Sequence, residues 1–233
     1  TTGLLGDPAE WKPLSGSRNH FYHFFRAEGR SDKGEKDLGR WGIGKQVFPR
    51  SSRINSIFGL TVRNDDGKRL LMGMAVLKSH DVNGTRYDPD GWLGCRESNE
   101  DDAVIMPIED KDFIDSFCAA LDIQRGNDPG LTVVVPWYDV ELTGTDLVRA
   151  VLRGYFWPML RGELEVIVET PQIQTVLDAE SLVHEIKKIG SDLENEILPL
   201  IELAKWAGSP DSNPVALANQ EQNRAWQWKK ELF

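Results

Sequence analysis

The sequence is short of the features that mark an extracellular or membrane protein. It holds two cysteines in 233 residues, Cys95 and Cys118. That is too few for a disulfide framework, and nothing marks them as a pair, which points to a reducing, cytoplasmic setting. No apolar run approaches the roughly 20 residues that a helix needs to cross a bilayer, which argues against a membrane protein. The opening residues, TTGLLGDPAEW, lack a basic stretch followed by an apolar one, so no signal peptide is visible. They also lack an initiating Met, as a fragment or a processed product would. Internal repeats and low-complexity tracts are missing as well. The formal net charge of −10 leaves no cation surplus, which argues against a surface that grips nucleic acid throughout.

What is present suits a folded chain. With 40% hydrophobic and 27% charged residues, the composition is that of a globular protein. The length allows one generous domain or two small ones. Charge is unevenly spread, however. Between Arg18 and Arg53 nine basic residues face four acidic ones, a local excess of five cations in an acidic chain. On charge alone this is either a solvated loop or an anion site.

Patterning along the chain predicts an α/β protein of α+β two-layer type, a mixed β-sheet covered by helices. Residues 1–139 form the first domain, and 140–233 a smaller α/β or helical one. The run SDKGEKDLGRWGIG has no apolar periodicity and reads as a mobile loop. A short helix is expected from Lys45 to about Ser52, with Val47 and Phe48 buried and Pro49 limiting its length. INSIFGLTVR and RLLMGMAVL read as strands joined through Asp66-Gly67, a hairpin signal. Residues 79–103 read as a polar excursion anchored by Trp92. In DKDFIDSFCAALDI, Phe113, Ile114, Phe117 and Leu121 recur at helical spacing after Asp110 and Asp112, a suitable helix start. GLTVVVPW is a continuous β-branched run, expected deep in a sheet. TDLVRAVLRGYFWPML, DAESLVHEIKKIG and SDLENEILPLIELAKWAG read as helices, GELEVIVE as a half-buried strand, SPDSNP as a linker, and the tail with Trp226 and Trp228 as helical.

The stretch that carries chemistry is Gly39-Arg40-Trp41-Gly42-Ile43-Gly44-Lys45. Three glycines in seven residues, ending at a Lys that opens a helix, meet the needs of a phosphate cradle. Glycine lets backbone N–H groups approach anionic oxygens closely, and Lys adds a full positive charge. A tight turn with no ligand would use the same residues. As GxxxxGK the stretch fails as a P-loop, because Gln46 stands at the magnesium-binding Ser/Thr position and no buried strand precedes it. As a dinucleotide fingerprint it fails on order, since the glycines run GxxGxG.

In that order the stretch resembles the second glycine box of the ATPase superfamily of gyrase, histidine kinases and mismatch-repair proteins (GHKL). In that family the box closes a flexible lid and opens a short helix; a β-hairpin follows, then a strand beginning Gly-Thr that completes the adenine pocket. Here a polar lid, GRWGIGK, a predicted helix, a predicted hairpin and Gly130-Leu131-Thr132-Val133 come in the same succession. Thr1-Thr2-Gly3-Leu4 resembles the end of the first glycine box, with Gly3 as its last glycine.

The resemblance covers about residues 1–136 and implies the later part of an ATP-binding domain, with ATP and Mg2+ as cofactors. It assigns Gly3, Gly39, Arg40, Trp41, Gly42, Ile43, Gly44, Lys45 and Thr132 to nucleotide binding, and residues 140–233 to a transducer-like segment. Family members often pair two such domains, so it also implies a homodimer, with a protein or nucleic-acid partner that the sequence does not identify. Two departures stand out. Thr132 is displaced by one from the family's Gly-Thr pair. The Glu/Asn helix and adenine-binding Asp of the family lie upstream of its first box, where this sequence has no residues, so the chain alone is expected to bind nucleotide weakly without hydrolysing it. The alternative is a non-catalytic interaction module that keeps the fold without the nucleotide.

Other residue types offer less. His20 and His23 have a spacing that a helix could use for a metal, but no Cys or carboxylate nearby in sequence completes a set. Cys118 falls on an apolar helix face as core, and Cys95 has no His arrangement beside it that would make a nucleophile.

Overall fold

A computed structural model describes residues 1–10, 19–27, 46–96, 104–138 and 141–209. The chain divides into two compact units, Thr1–Asp139 and Val140–Phe233. It combines α and β structure, with six helices and small antiparallel sheets among the described residues. None of the described helices is long and apolar enough to cross a membrane.

The first unit is built on β1 (Ser56–Val62) and β2 (Arg69–Val76), the two strands legible from their apolar runs. They pair antiparallel from Ser56↔Ala75 to Val62↔Arg69. The turn between them closes because Gly67 takes φ +71° and the Asp66 carboxylate accepts from the Lys68 N–H at 3.0 Å, a local hydrogen bond that acidic turn residues favour. β5 (Asp90–Leu93) and β8 (Gly130–Val134) extend the sheet to the order β5-β2-β1-β8.

Every described strand pairing is antiparallel, which corrects the expected mixed sheet. A parallel neighbour would have to start beside the start of β1. The chain instead enters β8 beside the end of β1, with Gly130 opposite Val62, so the strand runs back along it. β8 also corrects the reading of GLTVVVPW as a strand deep in a sheet. It pairs with β1 alone and is mostly half-buried. Its run is continuously apolar because Val133 and Val134 face opposite sides of the sheet.

The stretch read as a polar excursion carries short strands: β3 (His80–Val82) with β4 (Thr85–Tyr87), then β5, then β6 (Cys95–Arg96), which pairs with β7 (Ile105–Met106) beyond that stretch. Helix α3 (Lys111–Ala120) starts where Asp110 accepts from the Phe113 N–H at 2.7 Å. It buries Ile114 and Cys118 and leaves Phe113 and Leu121 exposed. Its inward stripe is therefore narrower than the sequence periodicity suggested.

The second unit packs α4 (Gly144–Leu160), α5 (Leu182–Ile189) and α6 (Ser191–Ala207) with a hairpin of β9 (Val166–Glu169) and β10 (Gln174–Leu177). Its core joins Leu152 and Met159 of α4 to Leu177, Ile186, Leu193 and Ile197. Helix α4 begins in a reciprocal cap: Thr143 accepts from the Asp146 N–H at 3.2 Å, and the Asp146 carboxylate accepts from the Thr143 N–H at 3.1 Å. Hydrogen bonds from the Thr143 hydroxyl and backbone hold the Asp146 carboxyl below its ordinary pKa. Thr143→Ala is expected to cost about 1 kcal/mol, readable in urea denaturation, with Thr143→Ser close to the parent. The linker beyond Ser209 and the Trp-bearing tail lie outside the described residues.

Candidate functional site

Alternation along the strands separates the sheet into two faces. On β1, Ile57, Gly59 and Thr61 point one way, and Phe58, Leu60 and Val62 the other. Leu60 and Phe58 pack with Ile114 and Cys118 of α3. The opposite face carries α1 (His20–Phe25) and α2 (Val47–Arg50), whose Phe21, Phe25 and Phe48 share a core with Ile57, Met72 and Val133.

Helix α1 has six residues, too few to be stable alone. Asn19 caps it by accepting from the Tyr22 N–H at 2.8 Å. Its aromatic residues then hold it down, with the Phe21 and Phe25 rings 4.9 Å apart and Phe24 edge-on to Phe25 at 4.8 Å. The approach is possible because Gly59 sits beneath it: a Cβ there would lie 2.7 Å from Phe25 Cζ.

Helix α2 forms directly after the GRWGIGK stretch. Pro49 lies inside it without breaking it, because the first turn of a helix needs no N–H donor there. Pro49 is buried and Phe48 packs on the α1 core, whereas Val47, expected inside, is 61% exposed. Behind it the buried Ser52 donates to the Pro136 carbonyl at 2.7 Å, and the Arg53 N–H donates to the Trp137 carbonyl at 2.9 Å.

The predicted site residues fall into three groups. Gly39, Arg40, Trp41, Gly42, Ile43, Gly44 and Lys45, with the expected mobile loop before them, lie outside the described residues. The segments bounding them are described: α1 ending at Phe25 and Arg26, and α2 beginning at Val47, both on the same face of the sheet.

Gly3 belongs to this face. It has φ +72°, and a Cβ there would lie 2.2 Å from the Val62 carbonyl oxygen and 2.9 Å from Thr61 Oγ1. Only glycine meets both the backbone conformation and the close approach. The next residue, Leu4, packs into the α1 core.

Thr132 lies on the other face. It stands opposite Leu60, and its hydroxyl accepts from Arg125 Nη1 at 3.3 Å. Displacement by one residue along a strand reverses the side chain, so Gly3 and Thr132 are not brought together. The hydroxyl that does stand beside Gly3 is that of Thr61. It accepts from the Leu4 N–H at 2.8 Å and donates to the Gly130 carbonyl at 3.2 Å. The sequence placed this residue inside the strand-like run INSIFGLTVR with no role of its own. The signal was a hydroxyl at a core-facing position of an otherwise apolar strand.

Charge on this face is held by arginines. Arg26 is 9% exposed, donates to the Ile105 carbonyl at 2.7 Å, and lies 5.9 Å from the Phe21 ring centroid. Burial lowers its pKa, with Asp7 opposing that shift. Arg63 donates from Nη1 to the Gly6 carbonyl at 2.8 Å and binds Asp65 through Nε and Nη2. The Asp65 hydrogen bond raises its pKa against the effect of burial. Among the described residues no group of three or more His, Cys, Asp or Glu side chains is placed to hold a metal ion. Comparisons of the chain with protein-family models, with curated proteins and with solved structures found no match.

Proposed function

We propose that this chain is the later part of an ATP-binding domain of the GHKL type, in which nucleotide drives closure of a lid. The observation that carries this reading is the common face of the sheet shared by Leu4, α1 and α2. Leu4, at the end of the proposed first glycine box, and α2, which follows the second, therefore pack on one surface, although Gly3 and Gly39 are far apart in sequence.

In this reading the backbone N–H groups of Gly39, Gly42 and Gly44 take the phosphates. Lys45 neutralises the terminal phosphate, and the part of the expected lid (residues 15–38) that follows α1 folds over the nucleotide, since His20–Phe25 is packed on the sheet core instead. Mg2+, when bound with the phosphates, would supply charge neutralisation there. Lid closure draws on contacts made only with the triphosphate, which makes such a domain a switch. Hydrolysis belongs to the complete protein, pairing of two domains to a homodimer, and the response to closure to residues 140–233 as a transducer-like segment.

A second reading, a non-catalytic interaction module of the same fold, draws its support from Thr132, whose side chain faces α3 rather than Gly3.

Calorimetric titration with a non-hydrolysable ATP analogue and magnesium separates the two. The chain and a version carrying any residues that precede Thr1 are both titrated. Binding that Lys45→Ala weakens about tenfold or more for triphosphate, and less for diphosphate, is the expected result, because the Lys acts as a point charge on the terminal phosphate. No binding by either version favours the interaction module, and equal loss for both nucleotides removes the assigned role of Lys45.

A further inference from the structure

We infer that Thr61 is a positioning residue for this nucleotide site; the inference rests on the ATP-binding reading above. Three parts of the chain meet at its hydroxyl. The oxygen accepts from the Leu4 N–H at 2.8 Å, and the hydroxyl proton goes to the Gly130 carbonyl at 3.2 Å. The residue is 0% exposed, so water cannot replace either bond if the hydroxyl is removed. One side chain thus ties the segment containing Gly3 to the first residue of β8 through β1.

Neighbouring residues narrow the choice of positions for that segment. The Asn64 N–H donates to the Thr2 carbonyl at 3.1 Å, and Arg63 Nη1 to the Gly6 carbonyl at 2.8 Å. Gly3 lies between these anchors with its Cα hard against the end of β1, where a Cβ would lie 2.2 Å from the Val62 carbonyl oxygen. Thr61 supplies one of the two bonds that flank Gly3, and the one that also reaches β8. It touches no nucleotide in this scheme. It fixes the backbone of the segment that does, and binding by backbone N–H groups is sensitive to small displacements.

Thr61→Val keeps the side-chain shape and removes the hydroxyl. The expected result is about tenfold weaker binding of the ATP analogue with magnesium, faster amide exchange at Leu4, and an unchanged far-UV circular dichroism spectrum. Thr61→Ser, which restores the hydroxyl, is expected to return affinity to within about twofold of the parent. If the valine variant does not fold, Thr61→Cys, similar in size with a weakly bonding thiol, must show the same loss for the inference to stand. Nucleotide affinity unchanged in the valine variant while Lys45→Ala still weakens binding overturns the role of Thr61 and leaves the ATP reading intact. A serine variant as weak as the valine variant overturns it too, since methyl packing would then be the cause. A parent chain that binds no nucleotide in either length removes both.

Discussion

Phe21→Ala is expected to lower the stability of the Thr1–Asp139 unit by about 3–5 kcal/mol, the range for truncating a buried aromatic side chain. Phe21 is fully buried and belongs to the core that joins α1 to Ile57, Leu70 and Met72 of the sheet. Removing its ring deletes the tilted ring contact with Phe25 and leaves a cavity between two elements of unequal strength. The sheet can keep its place through the hydrogen bonds of β1, β2 and β8. A six-residue helix has no comparable reserve. The loss should therefore appear as release of α1 together with the global cost. Urea denaturation followed by circular dichroism gives the free energy, and amide exchange at Arg26 and Ala27, whose N–H groups donate to the Tyr22 carbonyl, reports α1 separately. A loss below about 1.5 kcal/mol would mean that the site repacks around the missing ring.

The complementary experiment adds atoms rather than removing them. Gly59→Val is expected to cost about 3 kcal/mol, at the upper end of overpacking penalties. By local propensity the change should help, since valine suits a strand and glycine does not. Packing decides the sign: the first added carbon would lie 2.7 Å from Phe25 Cζ and 3.4 Å from Phe24 Cε1. These are ring atoms of a wedged aromatic pair, without a flexible end that could swing aside. Either α1 lifts off the sheet or β1 bends away from it. Denaturation midpoints of Gly59→Ala and Gly59→Val should fall in that order. A valine variant at least as stable as the parent would show that α1 is held by something other than close contact with β1.

These two positions also show how far the sequence could be read. IFGLTV and RLLMGMAV announced their strands because each has to fill a core on both faces, and Asp66-Gly67 announced the turn because few residue pairs accept its backbone. Helix α3 was legible from Asp110 and from the apolar spacing that follows, since caps and stripes are local. The strands β3, β4 and β6 carry only exposed residues, so no burial alternation existed to be seen. The antiparallel sense of β8 depends on where the chain re-enters the sheet, which no local pattern records.

The candidate site divides in the same way. Gly3 and the glycine-rich box were visible as residue types with an unusual backbone requirement. That Thr132 faces α3 and Thr61 faces Leu4 follows from register, and register is a property of two strands at once. Thr61 had no mark of its own beyond being a hydroxyl among apolar neighbours.

The bonds made by Thr61 have a consequence for the order of assembly. The turn between β1 and β2 closes a short loop, so that hairpin can form at small entropic cost. The Leu4 and Gly130 bonds join residues 57 and 69 positions apart, and Thr1 reaches the Pro129 carbonyl across 128. Contacts of such span form after the local ones have reduced the freedom of the intervening chain. The corner where the first residues meet β8 is thus expected to close late in folding, and its closure makes the hairpin and the two chain segments one structure.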